Sequence, residues 1–186
     1  MTVGFALCGS FCTFHKVFPV MEALAEQYEL IPILSEASGT IDSRFGEAAE
    51  HLRKLRQICR REPILTIAQA EPIGPGKLLD ALVIAPCTGN TLAKLAHSIA
   101  DTPVTMAAKS HLRNGRPVLV AVSTNDALAG AAENIGKLLA RRNYYFVPFG
   151  QDDPIGKPTS MVADFTKIPP ALEAALEGRQ LQPVLL

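Results

Sequence analysis

The sequence lacks the features that mark several large protein classes. It has no tryptophan and no excess of charge of either sign, with 18 basic and 18 acidic residues. No apolar run approaches the roughly 20 residues of a membrane-spanning helix. Balanced charge gives no electrostatic basis for binding nucleic acid or an anionic membrane, so we predict neither as a partner. No basic leader precedes the first predicted strand, so we expect a cytosolic protein without a signal peptide.

Cysteine is also scarce. The four cysteines, Cys8, Cys12, Cys59 and Cys87, match no zinc-ligand spacing, and cysteines of a cytosolic chain need not pair. We therefore predict no metal site. Cys8 and Cys87 each end an apolar run and are expected to lie close together, either as small buried side chains or beside a site.

The chain alternates short apolar runs with amphipathic segments, a pattern that predicts an α/β domain over residues 1–186. We expect a mostly parallel sheet with helices on both faces. Hydrophobic residues make up 48% of the chain, which favours subunit contacts and a homo-oligomer. Strands are expected at 2–7, 30–34, 81–85, 117–122 and 144–147, and helices within 17–28, 45–59, 92–99, 104–112, 127–141 and 169–178.

Small polar residues follow four of the predicted strands. They are Gly9-Ser10, Ser35 with Ser38, Thr88 to Thr91, and Ser123-Thr124-Asn125. Because parallel strands share one carboxyl rim, these turns are expected to meet there and to bind a phosphate or another anion. The alternative is a set of ordinary turns, with Thr88 or Asn90 as a helix N-cap. The aperiodic segment 148–161 is expected to be a loop over this rim, with Lys157 as an anion contact.

One segment resembles a known family. Residues 85–94, APCTGNTLAK, resemble the A-P-x-T-A-N-T-x-x-K motif of flavoproteins of the flavin-dependent cysteine decarboxylase type, with Gly89 where that family has alanine. Gly9, Ser10 and Lys16 are similar to its first loop. Residues 85–122 and 145–154 resemble the branch of this family that takes part in forming pyridine-2,6-dicarboxylate (dipicolinate) for bacterial endospores. The resemblance covers nearly the whole chain.

The resemblance implies a three-layer αβα sandwich with a mostly parallel, Rossmann-like or flavodoxin-like sheet. It also implies FMN as cofactor and active sites formed between the protomers of a trimer or larger homo-oligomer. By position, three sets of residues would contact FMN. Gly9, Ser10 and Ser35 would hold the phosphate and ribityl chain, Thr88, Asn90 and Thr91 the flavin side, and Ser123 and Thr124 would close the phosphate pocket.

The implied activity is that of one component of an oxidoreductase in the mother-cell cytosol. It would act with a dehydrogenase-like partner protein carrying NAD(P), and oxidise a dihydrodipicolinate-type precursor. Asn125 is the one retained position of the family's substrate clamp. A dicarboxylate substrate needs cations, for which Lys109, Arg113 and Lys157 are candidates, and His15 is a candidate acid or base. Each of these charges is alternatively a solvent-facing group.

Two departures from the family pattern keep alternatives open. Residues 37–40 lack the histidine that the decarboxylases carry after the second strand, and only Asn125 remains of their P-x-M-N-x-x-M clamp. Decarboxylation of a peptidyl cysteine is therefore not expected. The alternatives are a flavin-free protein that binds the substrate or product and activates the dehydrogenase, and a flavin decarboxylase acting on another carboxylate.

Overall fold

The computed structural model describes residues 1–186 and has the predicted alternation of strands and helices. The strands are β1 (Thr2–Leu7), β2 (Glu29–Leu34), β3 (Ala81–Cys87), β4 (Val118–Thr124), β5 (Tyr144–Phe146), β6 (Phe149–Gly150) and β7 (Met161–Ala163). The helices are α1 (Phe14–Ala25), α2 (Glu36–Thr40), α3 (Ala48–Cys59), α4 (Ile67–Ala70), α5 (Gly89–Ala96), α6 (Pro103–Leu112), α7 (Ala132–Leu139) and α8 (Ile168–Leu176). None of these helices is both long and apolar enough to span a membrane.

The strands form one sheet in the order β2-β1-β3-β4-β7-β6, and β5 pairs with the first half of β4. The pairings among β1 to β5 are parallel, whereas β7 pairs antiparallel with both β4 and β6. The prediction of a mostly parallel sheet is therefore confirmed. Because β1 to β4 run in the same direction, the turns that leave them meet at one rim.

Helices cover both faces of the sheet, as the resemblance implied. On one face α1 packs against α3 and α8, and on the other α5 packs against α6 and α7. Every residue of β3 is buried, including Pro86, which lies within the strand and not after it as the sequence predicted. Continuous apolar strands of this kind are typical of parallel sheets that are covered on both faces. The architecture is a three-layer αβα sandwich.

The predicted helix over 127–141 is shorter in the structure, because α7 begins only at Ala132. The preceding residues form turns in which the carbonyl of Asp126 accepts hydrogen bonds from the N–H groups of Ala129 and Ala131. The N–H of Leu128 donates to the carbonyl of Thr159, so this segment is attached to the following loop. Leu128, which an apolar face of a helix over 127–141 would bury, is 51% exposed.

Three further segments differ in local structure from the pattern in the sequence. Residues 151–160 of the predicted loop 148–161 are a loop in the structure, but Phe149 and Gly150 form β6 and Met161 begins β7. The C-terminal tail pairs with β6 through hydrogen bonds between Phe149 and residues Val184 and Leu186. Phe45, at the start of the predicted helix 45–59, lies before α3 and is 45% exposed. Strands of two or three residues carry no periodicity and are fixed by tertiary pairing.

Replacing Gly136 by alanine is expected to raise the free energy of unfolding by about 0.5–1 kcal/mol. Gly136 lies inside α7, is exposed, and a Cβ at this position would meet no atom within 4 Å. Alanine therefore gains helix propensity without a steric cost. Urea denaturation of both proteins measures the change, and unchanged or lower stability would contradict the expectation.

Candidate functional site

A polar cavity of about 340 Å³ lies at the carboxyl rim of the sheet. Ser10 follows β1 and Ser123 lies near the end of β4, and their Oγ atoms are 2.8 Å apart although 113 residues separate them in sequence. Gly9, Thr88 and Thr124 also line the cavity. The rim therefore brings together turns from three strands, as the parallel arrangement of β1, β3 and β4 requires.

The N-terminal end of α1 opens onto the same cavity. The turn Phe11–Thr13 follows Ser10, and the Thr13 hydroxyl donates to the Ser10 carbonyl at 2.8 Å. The Ser10 side chain does not cap the helix but bonds to Ser123. Lys16, in the first turn of α1, lines the cavity and forms no ion pair. An unpaired lysine, hydroxyl groups and a helix N-terminus together form an anion-binding arrangement.

The beginning of α5 forms another side of the site. Thr88 is its N-cap, and the Thr88 Oγ1 accepts a hydrogen bond from the Thr91 N–H at 3.4 Å. The Thr91 hydroxyl is buried and donates to the Cys8 sulfur at 3.2 Å. The N-cap interpretation of Thr88 is therefore confirmed. Thr91 points into the core and fixes the first turn of α5 against the end of β1.

Gly89 explains one departure from the family motif. A Cβ at this position would lie 2.8 Å from the Thr124 Oγ1 and 2.9 Å from the Asp126 Oδ1. The hydroxyl of Thr124 in turn donates to the carboxylate of Asp126. These two side chains fill the space that an alanine methyl group would need. The Asp126 carboxylate also lies beside the positive end of the α5 dipole, which favours a negative charge there.

Replacing Gly89 by alanine is expected to lower the free energy of unfolding by about 1–3 kcal/mol, the usual cost of overpacking. The methyl group must displace Thr124 and Asp126 and break the hydrogen bond between them. Urea denaturation measures the loss, and Gly136→Ala is the matched control because it makes the same change in open space. Equal stability of Gly89→Ala and the parent protein would show that the two side chains move freely.

Residues 151–160 form a loop that is fixed beside the cavity. The Thr159 hydroxyl donates to the Asn125 carbonyl at 2.7 Å, and the Asp152 carboxylate accepts from the Ser160 hydroxyl and from Lys157 Nζ at 3.2 Å. Burial raises the pKa of Asp152, but the hydrogen bonds from Ser160 and Lys157 outweigh burial and hold that pKa below its ordinary value. Lys157 lines the cavity with its charge paired, whereas the charge of Lys16 is free.

The cysteines of the rim differ in environment. Cys8 and Cys87 are fully buried near the ends of β1 and β3. Burial raises the pKa of Cys8 to about 11. Burial, and then the neighbouring Cys8, raise the pKa of Cys87 well above its ordinary value. Both are therefore close together, protonated and part of the core, whereas Cys12 is exposed and lines the cavity. No group of three or more His, Cys, Asp or Glu side chains is placed to hold a metal ion.

The structure brings most of the predicted site residues together and leaves others apart. Those that line the cavity are Gly9, Ser10, Thr88, Ser123, Thr124, Asn125 and Lys157. Ser35 lies at the same rim but caps α2 by accepting from the Ser38 N–H at 3.2 Å. Asn90 and His15 are exposed and are not part of the cavity wall, and Thr91 is turned inward.

Lys109 and Arg113 were expected to contact the same ligand as Asn125, and the structure places them elsewhere. They lie at the C-terminal end of α6, next to the start of β4, where the His111 Nε2 is 3.0 Å from the Pro117 carbonyl. There they line a second cavity with Arg141 and Tyr144. The sequence places Lys109 and Arg113 near the end of a predicted helix, but it does not show at which side of the sheet that helix ends.

Several residues of the cavity were absent from the predicted set. They are Cys12, Thr13, Lys16, Asp152 and Val162. Lys16 could have been predicted from the sequence, because it lies within the first helix turn after the Gly9-Ser10 loop. Asp152 and Val162 could not have been predicted, because their positions depend on how the loop 151–160 and β7 fold back over β4.

Comparison with known proteins identifies relatives over the whole chain. The model of the family described as Flavoprotein matches residues 1–167. The B subunit of dipicolinate synthase from Bacillus subtilis (strain 168) is 46% identical over 185 residues, which cover 99% of this chain and 92% of the relative. The crystal structure of the dipicolinate synthase B subunit from Bacillus halodurans has a TM-score of 0.91 and 48% identity, covering 100% of this chain and 95% of that one.

More distant structures share the fold. Burkholderia xenovorans DmrB in complex with FMN, described as a cubic protein cage for redox transfer, has a TM-score of 0.70 and 20% identity, and the match covers 95% of each chain. The FMN-dependent cysteine decarboxylase SpaF has a TM-score of 0.66 and 21% identity, again over 95% of each chain. At these identities the two structures establish the αβα architecture alone.

Proposed function

This chain belongs to the flavoprotein family, and from that premise we propose that it is the FMN-binding B subunit of a dipicolinate synthase. The observation that carries the proposal is the cavity in which Ser10 and Ser123 meet at 2.8 Å beside the free charge of Lys16. It lies on the segments that resemble the FMN-phosphate loops of the family. The 46% identity to the Bacillus subtilis protein supports the choice of reaction.

The donors around the cavity suit the phosphate of FMN. Ser10 and Ser123 share one hydrogen bond between their hydroxyls, so one of these two O–H groups is left to donate to a phosphate oxygen, and Lys16 supplies the positive charge. The hydroxyls of Thr88 and Thr124 donate to Thr91 and Asp126. Gly9 lines the cavity at the end of β1. In this proposal Ser10, Ser123 and Lys16 bind the phosphate, and Asn125, at the outer edge, contacts the flavin or the substrate.

The proposed reaction is the oxidation of a dihydrodipicolinate-type precursor to pyridine-2,6-dicarboxylate. Forming the aromatic ring removes two electrons and two protons from the precursor. Bound FMN supplies a two-electron acceptor, and the protein supplies binding and orientation. Lys157, held beside Asp152 by the loop 151–160, lines the cavity with Asn125 and is the cation proposed for a carboxylate of the substrate.

The proposed partner is the dehydrogenase-like component of dipicolinate synthase, which carries NAD(P). The two proteins would act together in the mother-cell cytosol during sporulation. We also propose a homo-oligomer, a trimer or a multiple of it, because several large apolar side chains are exposed. These include Ile41, Phe45, Leu65 and Ile67, which are each 39–49% exposed. Analytical ultracentrifugation of the purified chain tests this assembly.

Reconstitution with the dehydrogenase-like component tests the proposed function. The FMN-loaded chain is mixed with that purified component, NAD(P) and a dihydrodipicolinate-type precursor, and the formation of pyridine-2,6-dicarboxylate is followed by its ultraviolet absorbance. We expect formation of the product to require both proteins and to fall at least tenfold in the Lys16→Met variant. Lys137→Met, on the exposed side of α7, is the matched control. Equal rates without this chain would exclude its participation.

A second candidate is a flavin-free protein that binds the substrate or product and activates the dehydrogenase. The observation in its favour is the pair of carboxylates at the rim: Asp126 beside the start of α5, and Asp152, which neutralises Lys157. Negative charge at these positions opposes a phosphate nearby. This candidate predicts that activity with the dehydrogenase survives Ser10→Ala and Asn90→Asp without added FMN, whereas the flavin proposal predicts that FMN is required.

A further inference from the structure

A second cavity, of about 310 Å³, lies at the other end of α5. The rim cavity adjoins the N-terminal end of this eight-residue helix, and the second cavity adjoins its C-terminal end near Leu95. At 1.5 Å per residue the helix is about 12 Å long, so the two cavities are separate. The second one is enclosed by α5, α6 and the turn that joins α7 to β5. Its volume falls at the lower end of the range for small-molecule pockets.

The charged side chains that line this cavity are all positive. Lys109, Arg113 and Arg141 line it, no carboxylate does, and none of the three belongs to an ion pair. Arg141 is fixed, because its guanidinium donates to the carbonyls of Leu95 at 3.0 Å and Ala96 at 2.7 Å. Lys109 and Arg113 are exposed and free to reach a ligand. An anion placed here meets two available cations and no competing negative group.

The floor of the cavity is apolar. Leu95 and Tyr144, which are 3% and 9% exposed, form it with Leu112, whereas Ile99, 47% exposed, lies at the edge of the cavity. Burial raises the pKa of Tyr144 to about 12, so its hydroxyl stays protonated and can donate a hydrogen bond. An inorganic anion would satisfy the cations but leave this floor exposed to water. A flat hydrocarbon body would cover it.

We propose that this second cavity binds a small aromatic carboxylate, with its ring on Leu95, Leu112 and Tyr144 and its carboxylate on Lys109 and Arg113. The site is separate from the flavin rim and does not depend on the function proposed for that rim. It gives a role to two cations that the sequence assigned to a substrate but that lie far from Asn125.

Calorimetric titration of the purified full chain with three probes tests the proposal. Benzoate combines a ring with a carboxylate, acetate carries the carboxylate alone, and inorganic phosphate is an anion without a ring. We expect benzoate to bind at least tenfold more tightly than acetate or phosphate. We also expect Lys109→Met and Arg113→Met to weaken benzoate binding about tenfold each, the loss expected for one charge-assisted hydrogen bond.

Matched variants separate this site from non-specific charge and from the rim. Lys137→Met and Arg142→Met remove exposed cations outside the cavity, and Lys16→Met removes the cation of the rim; all three are expected to leave benzoate affinity unchanged. The exposed positions of Lys109 and Arg113 allow both variants to fold, which thermal unfolding checks. The proposal is overturned if benzoate does not bind at millimolar concentration, binds no better than phosphate, or binds equally well to Lys109→Met and Arg113→Met.

Discussion

Replacing Lys16 by methionine is expected to weaken FMN binding about 10- to 100-fold, the loss that corresponds to a charge-assisted hydrogen bond of about 1.5–3 kcal/mol. Lys16 is the one lysine of the rim cavity whose charge no carboxylate neutralises, since Lys157 is paired with Asp152. Methionine keeps the length of the apolar stem, so the effect reports the charge. Fluorescence quenching of FMN on titration with each protein measures the affinity.

Two further variants make this result specific. Lys137→Met, which changes an exposed lysine on α7, is expected to leave FMN affinity unchanged. Ser10→Ala is expected to lower the affinity by a smaller factor, about 2- to 10-fold, because the hydroxyl carries no charge and shares its hydrogen bonding with Ser123. The thermal unfolding midpoints should agree among all three variants and the parent. If Lys16→Met binds FMN as the parent does, the phosphate does not lie at the N-terminal end of α1.

Lowering the pH from 6.5 to 4 is expected to remove about 3 kcal/mol of stability through His111 alone, at 1.36 kcal/mol per pKa unit. His111 is fully buried in α6, and its Nε2 lies 3.0 Å from the Pro117 carbonyl while its Nδ1 has no partner. Burial lowers its pKa from 6.5 to about 4.

The direction of this pH dependence follows from the protonation of His111 in the folded and the unfolded chain. Above pH 6.5 the imidazole is neutral in both the folded and the unfolded chain, and the stability is fully present. Between pH 6.5 and 4 the unfolded chain binds a proton that the folded chain does not, so unfolding becomes more favourable as the pH falls. Below pH 4 both states are protonated and the loss from this residue stops.

Urea denaturation between pH 7 and pH 4 measures this dependence. The variant His111→Gln, whose amide can still donate to the Pro117 carbonyl, is expected to lose less stability over this range than the parent does. His97→Gln, which removes an exposed imidazole, should behave as the parent. Equal slopes for His111→Gln and the parent would show that His111 titrates in the folded protein near its ordinary value.

The sequence was sufficient to predict the core of the sheet and the rim at which the polar turns lie. The range of β1 agrees with the prediction. The predicted strands β2 and β3 differ from the structure by one or two residues at one end, and β4 by one residue at its start and two at its end. These strands are continuous apolar runs bounded by turn residues, so the local pattern and the buried environment agree. The rim could be predicted because parallel strands end at the same edge of the sheet. This topology brings Ser10 and Ser123 together, although nothing in the local sequence pairs them.

The remaining features depend on contacts between distant segments. The segment before Ala132 has helical periodicity, but the hydrogen bond between Leu128 and Thr159 holds part of it in a turn. The strand pairs of β6 and β7 are too short for periodicity to show. Lys109 and Arg113 could not be placed from the sequence, because their positions depend on the direction of α6. The role of Gly89 depends on the side chains of Thr124 and Asp126, which are distant in sequence.

The visible absorption spectrum of the purified protein, before and after addition of FMN, tests the central claim most directly. We expect a yellow protein, or one that takes up one FMN per chain, with the flavin bands shifted from those of free FMN and the shift lost in Lys16→Met. A colourless protein that leaves the spectrum of added FMN unchanged would contradict the account, and the polar rim would then serve another ligand.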